Sequence, residues 1–107
     1  MILVAKFMVP KGYLGITIFP FIFLKFNSLK QNVVLIHHER IHIRQQLELL
    51  VIPFFMFYGI EFIVRLFQFK SWHAAYKQIS FEREAYSNEK DLNYLKSRPF
   101  WNFINYL

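Results

Sequence analysis

Short apolar runs interrupted by glycine and proline make up the first 26 residues. The stretch GITIFPFIFLK, from Gly15 to Lys25, is rich in isoleucine and phenylalanine, which is typical of a β-strand. Pro20 has no amide hydrogen to donate, so such a strand is expected at a sheet edge or at a bulge. The interruptions, with no small-residue cleavage site after them, also distinguish this region from a signal peptide. We predict short N-terminal β-strands, with FPFIFLK at an edge to which another peptide can add.

The pattern becomes helical after the polar loop FNSLKQN. Three helical segments are expected, covering Val33 to about Leu50, about Phe54 to Phe69, and Ser71 to about Arg98. The first contains no glycine or proline and is dominated by good helix formers. Pro53 is expected to kink or restart the chain between the first two helices, and Pro99 to end the third. The last nine residues, PFWNFINYL, predict an aromatic helical turn or two.

These elements predict an α+β fold that is mainly helical, with short N-terminal β-strands followed by three to four helices. The chain has 107 residues, which is the size of one domain. It contains no internal repeat, linker or low-complexity segment. Residues 1–107 are therefore expected to form a single domain.

The second predicted helix carries one narrow polar stripe on an otherwise apolar surface. The stripe consists of Tyr58, Glu61, Arg65 and Gln68, which are spaced at i, i+3, i+7 and i+10. Most of the circumference of this helix must therefore be buried against something. The surrounding segment LLVIPFFMFYGIEFIVRLF has about the length of one membrane crossing.

Composition strengthens the case for an apolar partner. The chain is 55% hydrophobic and yet carries a net charge of +6. It therefore has more apolar side chains than the core of a small soluble domain can bury. A membrane surface or an apolar partner chain is therefore expected to cover part of it. Lysine and arginine occur singly and form no nucleic-acid signature, so anionic lipid headgroups are favoured over nucleic acid. The chain has no cysteine, which excludes disulfides and thiolate metal sites.

The candidate chemistry lies in the first predicted helix, where residues 38–42 spell H-E-R-I-H, the HExxH pattern. On a helix, His38 and His42 share one face and can bind one ion, for which neutral imidazole favours zinc. Glu39 lies about 100° around the helix from His38, where it can hold a water and accept its proton. The alternative is that both histidines are partly exposed polar groups with hydrogen-bond partners.

Catalytic zinc usually has three protein ligands and one open position. The segment ISFEREAYSNEKDL supplies three candidate glutamates, Glu82, Glu84 and Glu89. Glu82, Ala85 and Glu89 lie on one helical face, and the small Ala85 would allow close approach to the HExxH helix. One of these carboxylates with the two histidines makes a His2Glu zinc site. The alternative is that the glutamates form a solvated helix face.

The sequence VVLIHHERIHIRQQLELL, followed about forty residues later by SFEREAY, resembles the gluzincin zinc metallopeptidases. It is most similar to their membrane-linked branches: the peptidase domains of beta-lactam-sensing antirepressor proteins and the CAAX-processing and heat-shock membrane proteases. The resemblance implies a minimal gluzincin-like core that hydrolyses peptide bonds, with His38, His42 and Glu82, rather than Glu84, as zinc ligands. It also implies Glu39 as general base and an upstream edge strand that holds extended peptide or protein substrate.

The chain departs from the family pattern at Tyr86, where the family has an aspartate that supports a zinc ligand. Glu89, one turn further along the Glu82 face, could replace that aspartate. The donor that stabilises the transition state is left open among four residues: His73, Tyr76, Tyr86 and Tyr94. His37 points away from the face of His38 and is expected to have a structural or supporting role.

If His42 and Glu82 bind one ion outside the bilayer, the apolar segment between them cannot make a single crossing. We therefore expect it to dip in and return or to lie along the membrane interface or a partner chain. The expected protein is membrane-associated with its active site on the cytoplasmic side, and the alternative is a soluble cytoplasmic protein. The alternative function is a catalytically silent gluzincin-like binding or regulatory module at a membrane surface.

Overall fold

The computed structural model describes all 107 residues. Three strands form a small sheet at the N-terminus: β1 (Ile2–Val4), β2 (Gly15–Ile18) and β3 (Phe21–Leu24). Their order is β1-β3-β2, with β1 parallel and β2 antiparallel to β3. The prediction that FPFIFLK is an edge strand was wrong, because Pro20 lies in the turn between β2 and β3 and β1 covers the other side of β3. The edge strand beside the helices is β2.

Helix α1 (Val33–Leu49) packs against this sheet, with Ile22, Leu24 and Ile36 buried together between them. The helix begins at Asn32, whose side chain accepts a hydrogen bond from the backbone N–H of Leu35. Its inner face is polar as well as apolar, since both histidines and Glu39 of the HExxH motif are buried. The packing therefore carries the motif into the interior.

Helix α2 (Val51–Phe69) begins almost directly after α1. The break falls at Leu50, which has a positive φ of 67°, three residues before Pro53. A proline ring clashes with the carbonyl of the residue four positions earlier, so it ends the preceding helix but is tolerated in the first turn of the next. The predicted interruption is present, and the new helix starts slightly earlier than expected.

The third predicted helix is not continuous. The region forms α3 (Trp72–Gln78), α4 (Ser80–Asn88) and α5 (Tyr94–Ser97). The break between α3 and α4 lies at Ile79, which has an extended backbone and a fully buried side chain. The Glu61 carboxylate of α2 accepts a hydrogen bond from the backbone N–H of Ser80. Contacts from another element therefore stabilise a new helix start that the local sequence does not announce.

The C-terminal residues form the expected aromatic turn, a 3₁₀ segment from Asn102 to Tyr106. Phe103 in this turn packs with Phe54, Ile79 and Phe81 in an aromatic core beneath α2 and α4. The observed architecture is thus the predicted α+β fold, with five helices because the third predicted one is divided.

Helix α2 exposes its apolar side, and three members of its polar stripe, Tyr58, Glu61 and Arg65, are partly buried. By helical geometry, the apolar positions cover a continuous arc of about 140°, which we call the outer face of α2. The outer face consists of Ile52, Met56, Phe57, Ile60, Ile63, Val64 and Phe67, all exposed. Only Phe54 of this helix is buried within the chain. By length and composition alone, α2 is the one helix that could cross a membrane, with a mean hydropathy of 1.5.

Candidate metal centre

Close packing of α1 on α4 brings together His38, His42 and Glu82, and we call this group the candidate metal site. Ala85 of α4 and Ile41 of α1 are both fully buried against each other, so the two helices approach closely, as the small residue predicts. The three site residues are buried, with exposed fractions of 4%, 5% and 4%. Glu82 therefore shares one interior site with histidines that lie 40 and 44 positions earlier in the chain.

The potential ligand atoms form a nearly equilateral triangle. Oε1 of Glu82 lies 3.1 Å from Nε2 of His38 and 3.0 Å from Nε2 of His42, and the two nitrogens are 3.2 Å apart. Ligands bound tetrahedrally to zinc at 2.0–2.1 Å are separated by about 3.3 Å. The triangle therefore fits three positions of a tetrahedral zinc site with only a small outward adjustment.

The tautomer of His42 follows from its partner Gln45. The amide nitrogen of Gln45 donates to the backbone carbonyl of Phe81, so its amide oxygen faces His42. That oxygen lies 2.7 Å from Nδ1 of His42 and can only accept, which places a proton on Nδ1. When His42 is neutral, its Nε2 therefore presents a lone pair to Glu82.

His38 is held in the same way by Glu89, whose Oε2 lies 2.9 Å from Nδ1. The carboxylate accepts the Nδ1 proton, which leaves Nε2 as an acceptor in the neutral ring. Three acceptor atoms then converge with no donor among them, so a cation must neutralise the centre. Bonds from carboxylate or amide groups to the second nitrogen of each histidine are also the usual support of zinc-binding imidazoles.

Without a metal, a proton takes the cation's place. Burial lowers the pKa of His42, but the negative charge of Glu82 and its hydrogen bond outweigh burial and raise that pKa to about 9. Burial also acts to raise the pKa of Glu82, but attraction to His42 and hydrogen bonds from both histidines hold it well below its ordinary value. The centre is therefore built to hold positive charge at neutral pH.

Glu39 lies beside this centre, buried but with one oxygen free. The hydroxyl of Thr17 on β2 donates to Oε1 of Glu39 at 2.6 Å, whereas Oε2 has no hydrogen-bond partner in the protein. Glu39 lines the same cavity as His42 and Glu82. Its carboxylate is thus fixed in orientation and can still accept a proton from a molecule in the cavity.

That cavity has a volume of about 380 Å³ and mostly apolar walls, supplied by β2, α2 and the start of α3. A second cavity, of about 450 Å³, lies on the His38 side. The two share Tyr13, Gly15, Glu39, Trp72 and Tyr76 as lining residues. Glu39 therefore borders both cavities.

The edge strand β2 lines the first cavity, and Gly15 at its start also lines the second. The backbone N–H of Lys25 donates to the carbonyl of Leu14, so every second residue from Leu14 onward bonds to β3. The backbone N–H and C=O groups of the residues between them, Gly15 and Thr17, therefore point away from β3 toward the outer edge of the sheet. The side chain of Gln46 donates to the Thr17 carbonyl and accepts from the Phe19 N–H. Gln46 thus occupies one end of the outer edge and leaves the Gly15 end next to Glu39 open.

The four residues considered as donors to the transition state lie at different distances from the two cavities. Tyr76 lines both cavities, and burial, followed by the negative charge of Glu82, raises its pKa far above the ordinary value. Tyr86 packs its ring edge-on against His38, and its hydroxyl lies 3.1 Å from that of Tyr76. His73 lines the second cavity. Tyr94 is turned away, because its hydroxyl donates to Glu84 and lies outside both cavities.

The other sequence candidates also have defined positions. Glu84 is engaged with Arg98 and lies away from the histidines. Glu89 occupies the supporting position proposed for it beside His38, and the Nδ1 of His37 donates to the backbone carbonyl of Glu89. Three further cavity residues, Tyr13, Thr17 and Tyr58, were not predicted at the site. Only Tyr58 left a signal, as a member of the polar stripe of α2.

No protein-family model, curated protein sequence or solved structure matches this chain. The resemblance to gluzincins stays a prediction from the two sequence motifs.

Proposed function

We propose that the chain is a zinc-dependent metallopeptidase of gluzincin type. His38, His42 and Glu82 would hold the ion, and Glu39 would act as general base. The observation that supports this most strongly is the meeting of three acceptor atoms without a donor, beside a carboxylate that has one free oxygen and borders two cavities. Zinc bound there would lower the pKa of water and polarise a substrate carbonyl.

The chain's own residues supply the remaining functions. Thr17 holds one oxygen of Glu39, so the other can take a proton from the attacking water and deliver it to the leaving amine. The open outer edge of β2 at Gly15 would pair with the backbone of an extended peptide. Burial keeps the Tyr76 phenol protonated, and it can therefore donate to a developing oxyanion.

The test compares zinc-loaded wild type with Glu39→Gln, and uses His42→Ala as a control that must lose zinc. We expect Glu39→Gln to retain one zinc per chain and to lose peptide hydrolysis by about 10²–10⁴-fold, the contribution of a general base. Hydrolysis by Glu39→Gln at the wild-type rate, in a preparation free of other proteases, would refute the mechanism. A wild type that binds zinc and cleaves no peptide would instead identify the silent binding module.

We further propose that the outer face of α2 binds the surface of an anionic lipid bilayer. A soluble helix normally turns its polar side outward, whereas here three of the four stripe residues are partly buried and the outer face contains no polar residue. The chain's net charge of +6, with Lys70 directly after the helix, complements anionic headgroups. Tyr58, near the middle of α2, contacts Glu82, so a spanning helix would bring the charged centre to mid-membrane depth. A helix lying along the interface avoids this cost.

Flotation with vesicles containing phosphatidylglycerol tests this surface. The wild type should float with the vesicles, and the Ile60→Glu variant, changed in the outer face, should not. Val33→Glu is the matched control, since Val33 is equally exposed but lies at the far end of α1 from α2. The proposal would be contradicted if the wild type remained a monodisperse monomer in plain buffer and did not float with the vesicles. Self-association through the outer face would also contradict it.

A further inference from the structure

The two oxygens of Glu82 have different partners. Oε1 faces both histidine Nε2 atoms at 3.1 and 3.0 Å, whereas Oε2 accepts a hydrogen bond from the hydroxyl of Tyr58 at 2.6 Å. A phenol has one proton to donate, and this proton is committed to Oε2. Tyr58 is thus the only group that holds the second oxygen of the carboxylate.

Tyr58 is itself fixed in place by its surroundings. Its ring lies parallel to that of Phe81, with an interplanar angle of 3° and 6.3 Å between centroids. One turn further along α2, Glu61 accepts hydrogen bonds from the backbone N–H and the hydroxyl of Ser80, at the start of α4. Side chains from two successive turns of α2 therefore contact the first turn of α4, one at Ser80 and one at Glu82 itself.

A carboxylate can bind a metal through one oxygen or through both. One-oxygen binding by Glu82 would leave zinc with three protein ligands and one open position for water. Two-oxygen binding would fill that position. Because Oε2 is engaged by Tyr58, the arrangement favours binding through Oε1 alone.

We propose that Tyr58 is a positioning residue that restricts Glu82 to one-oxygen ligation and so keeps a coordination position open for water. This inference rests on the proposed zinc site. It assigns a role to one member of the polar stripe of α2, Tyr58, which lies on the opposite side of the helix from the outer face and contacts Glu82.

The experiment compares Tyr58→Phe with wild type by two spectroscopic measurements. Tyr58→Phe keeps the ring that stacks on Phe81 and removes only the hydroxyl. X-ray absorption of the zinc-loaded variant should show the close metal–carbon distance of a carboxylate bound through both oxygens. Water-proton relaxation of the cobalt-loaded variant should show that the bound water is lost. Metal stoichiometry should remain one per chain, and hydrolysis should fall by about 10–100-fold, as is typical when a residue supporting a ligand is changed.

Tyr106→Phe is the matched control. It also removes a hydroxyl that takes part in a side-chain hydrogen bond, with Asn88, far along α4 from Glu82. It should leave the one-oxygen binding of Glu82, the bound water and hydrolysis unchanged. Thermal unfolding of both variants would verify that each is folded.

Glu82 bound through one oxygen in Tyr58→Phe, with the water still present, would overturn the inference even if hydrolysis falls, because the hydroxyl would then act in another way. If wild type binds zinc but cleaves no peptide, the peptidase proposal fails while the spectroscopic comparison still decides the role of Tyr58. If wild type binds neither zinc nor cobalt, both proposals fail.

Discussion

Glu82 and Glu84 are two residues apart on α4 and both are buried, but their carboxylates have opposite kinds of neighbours. Glu84 is surrounded by donors. Arg98 binds it through two nitrogens, Tyr94 donates to it, and the amide of Gln45 donates to it at 2.9 Å. Glu82 faces two imidazole nitrogens, and its one neutral donor is Tyr58. Glu84 is therefore neutralised by the protein itself, whereas Glu82 needs a cation.

The number of hydrogen-bond donors around each carboxylate therefore distinguishes the two residues. Glu84, with several donors, belongs to a structural ion pair, and Glu82, with one neutral donor, is a candidate metal ligand. Arginine does not lose its proton in proteins, so Arg98 always carries the positive charge that pairs with Glu84. Glu48 also accepts a hydrogen bond from Arg98, at 2.6 Å. A histidine can release its proton to make room for a metal. Gln45 joins the two groups, since its amide donates to Glu84 and its oxygen sets the tautomer of His42.

The same substitution at each glutamate tests this contrast. Glu84→Gln would leave the buried guanidinium of Arg98 with Glu48 as its one carboxylate partner. Breaking a buried ion pair in this way should reduce the free energy of unfolding by about 3 kcal/mol, measured by urea denaturation. Zinc stoichiometry should remain one per chain, because the new amide oxygen can still accept from Gln45. A loss of zinc binding in folded Glu84→Gln would contradict the separation of the two clusters.

Glu82→Gln should have the converse effect. Zinc affinity, measured by competition with a chelator, should fall by at least about 100-fold, because a charged ligand is replaced by a weak neutral one. The metal-free variant should lose about 1 kcal/mol of stability, less than Glu84→Gln, because His42 can become neutral by releasing its proton. Zinc affinity equal to that of wild type would exclude Glu82 as a ligand.

A smaller and graded effect is expected from pH. In the metal-free protein the pKa of His42 is raised from 6.5 to about 9, so its stabilising contribution is complete below pH 6.5 and is lost as the pH rises through about 9. Zinc requires Nε2 without its proton. The apparent zinc affinity should therefore weaken about tenfold for each pH unit below 9.

Chelator competition between about pH 7 and pH 9, corrected for protonation of the chelator, measures this slope. The metal-free protein should become less stable over the same range in which the zinc-loaded protein becomes more stable. Glu84→Gln should show the wild-type slope, since Glu84 does not contact the imidazole of His42. An affinity that is flat from about pH 7 upward would indicate that His42 keeps its ordinary pKa.

The sequence by itself determined the features that depend on helical spacing. His38 and His42 share a face because they are four residues apart, and Ala85 faces α1 because it lies one turn from Glu82. The apolar run of α2 and its polar stripe were also predicted from the spacing of residues in the sequence. The helix break before Pro53 follows from local backbone chemistry.

Only the tertiary structure decided which distant groups meet. It placed Glu84 against Arg98 and Glu82 against the histidines, brought Glu89 to His38 across 51 positions, and turned Tyr58 toward Glu82. It also put β3 in the centre of the sheet and divided the third predicted helix at Ile79. Periodicity specifies the face on which a residue lies, but the partner of that face depends on how the elements pack, and packing is a property of the whole chain.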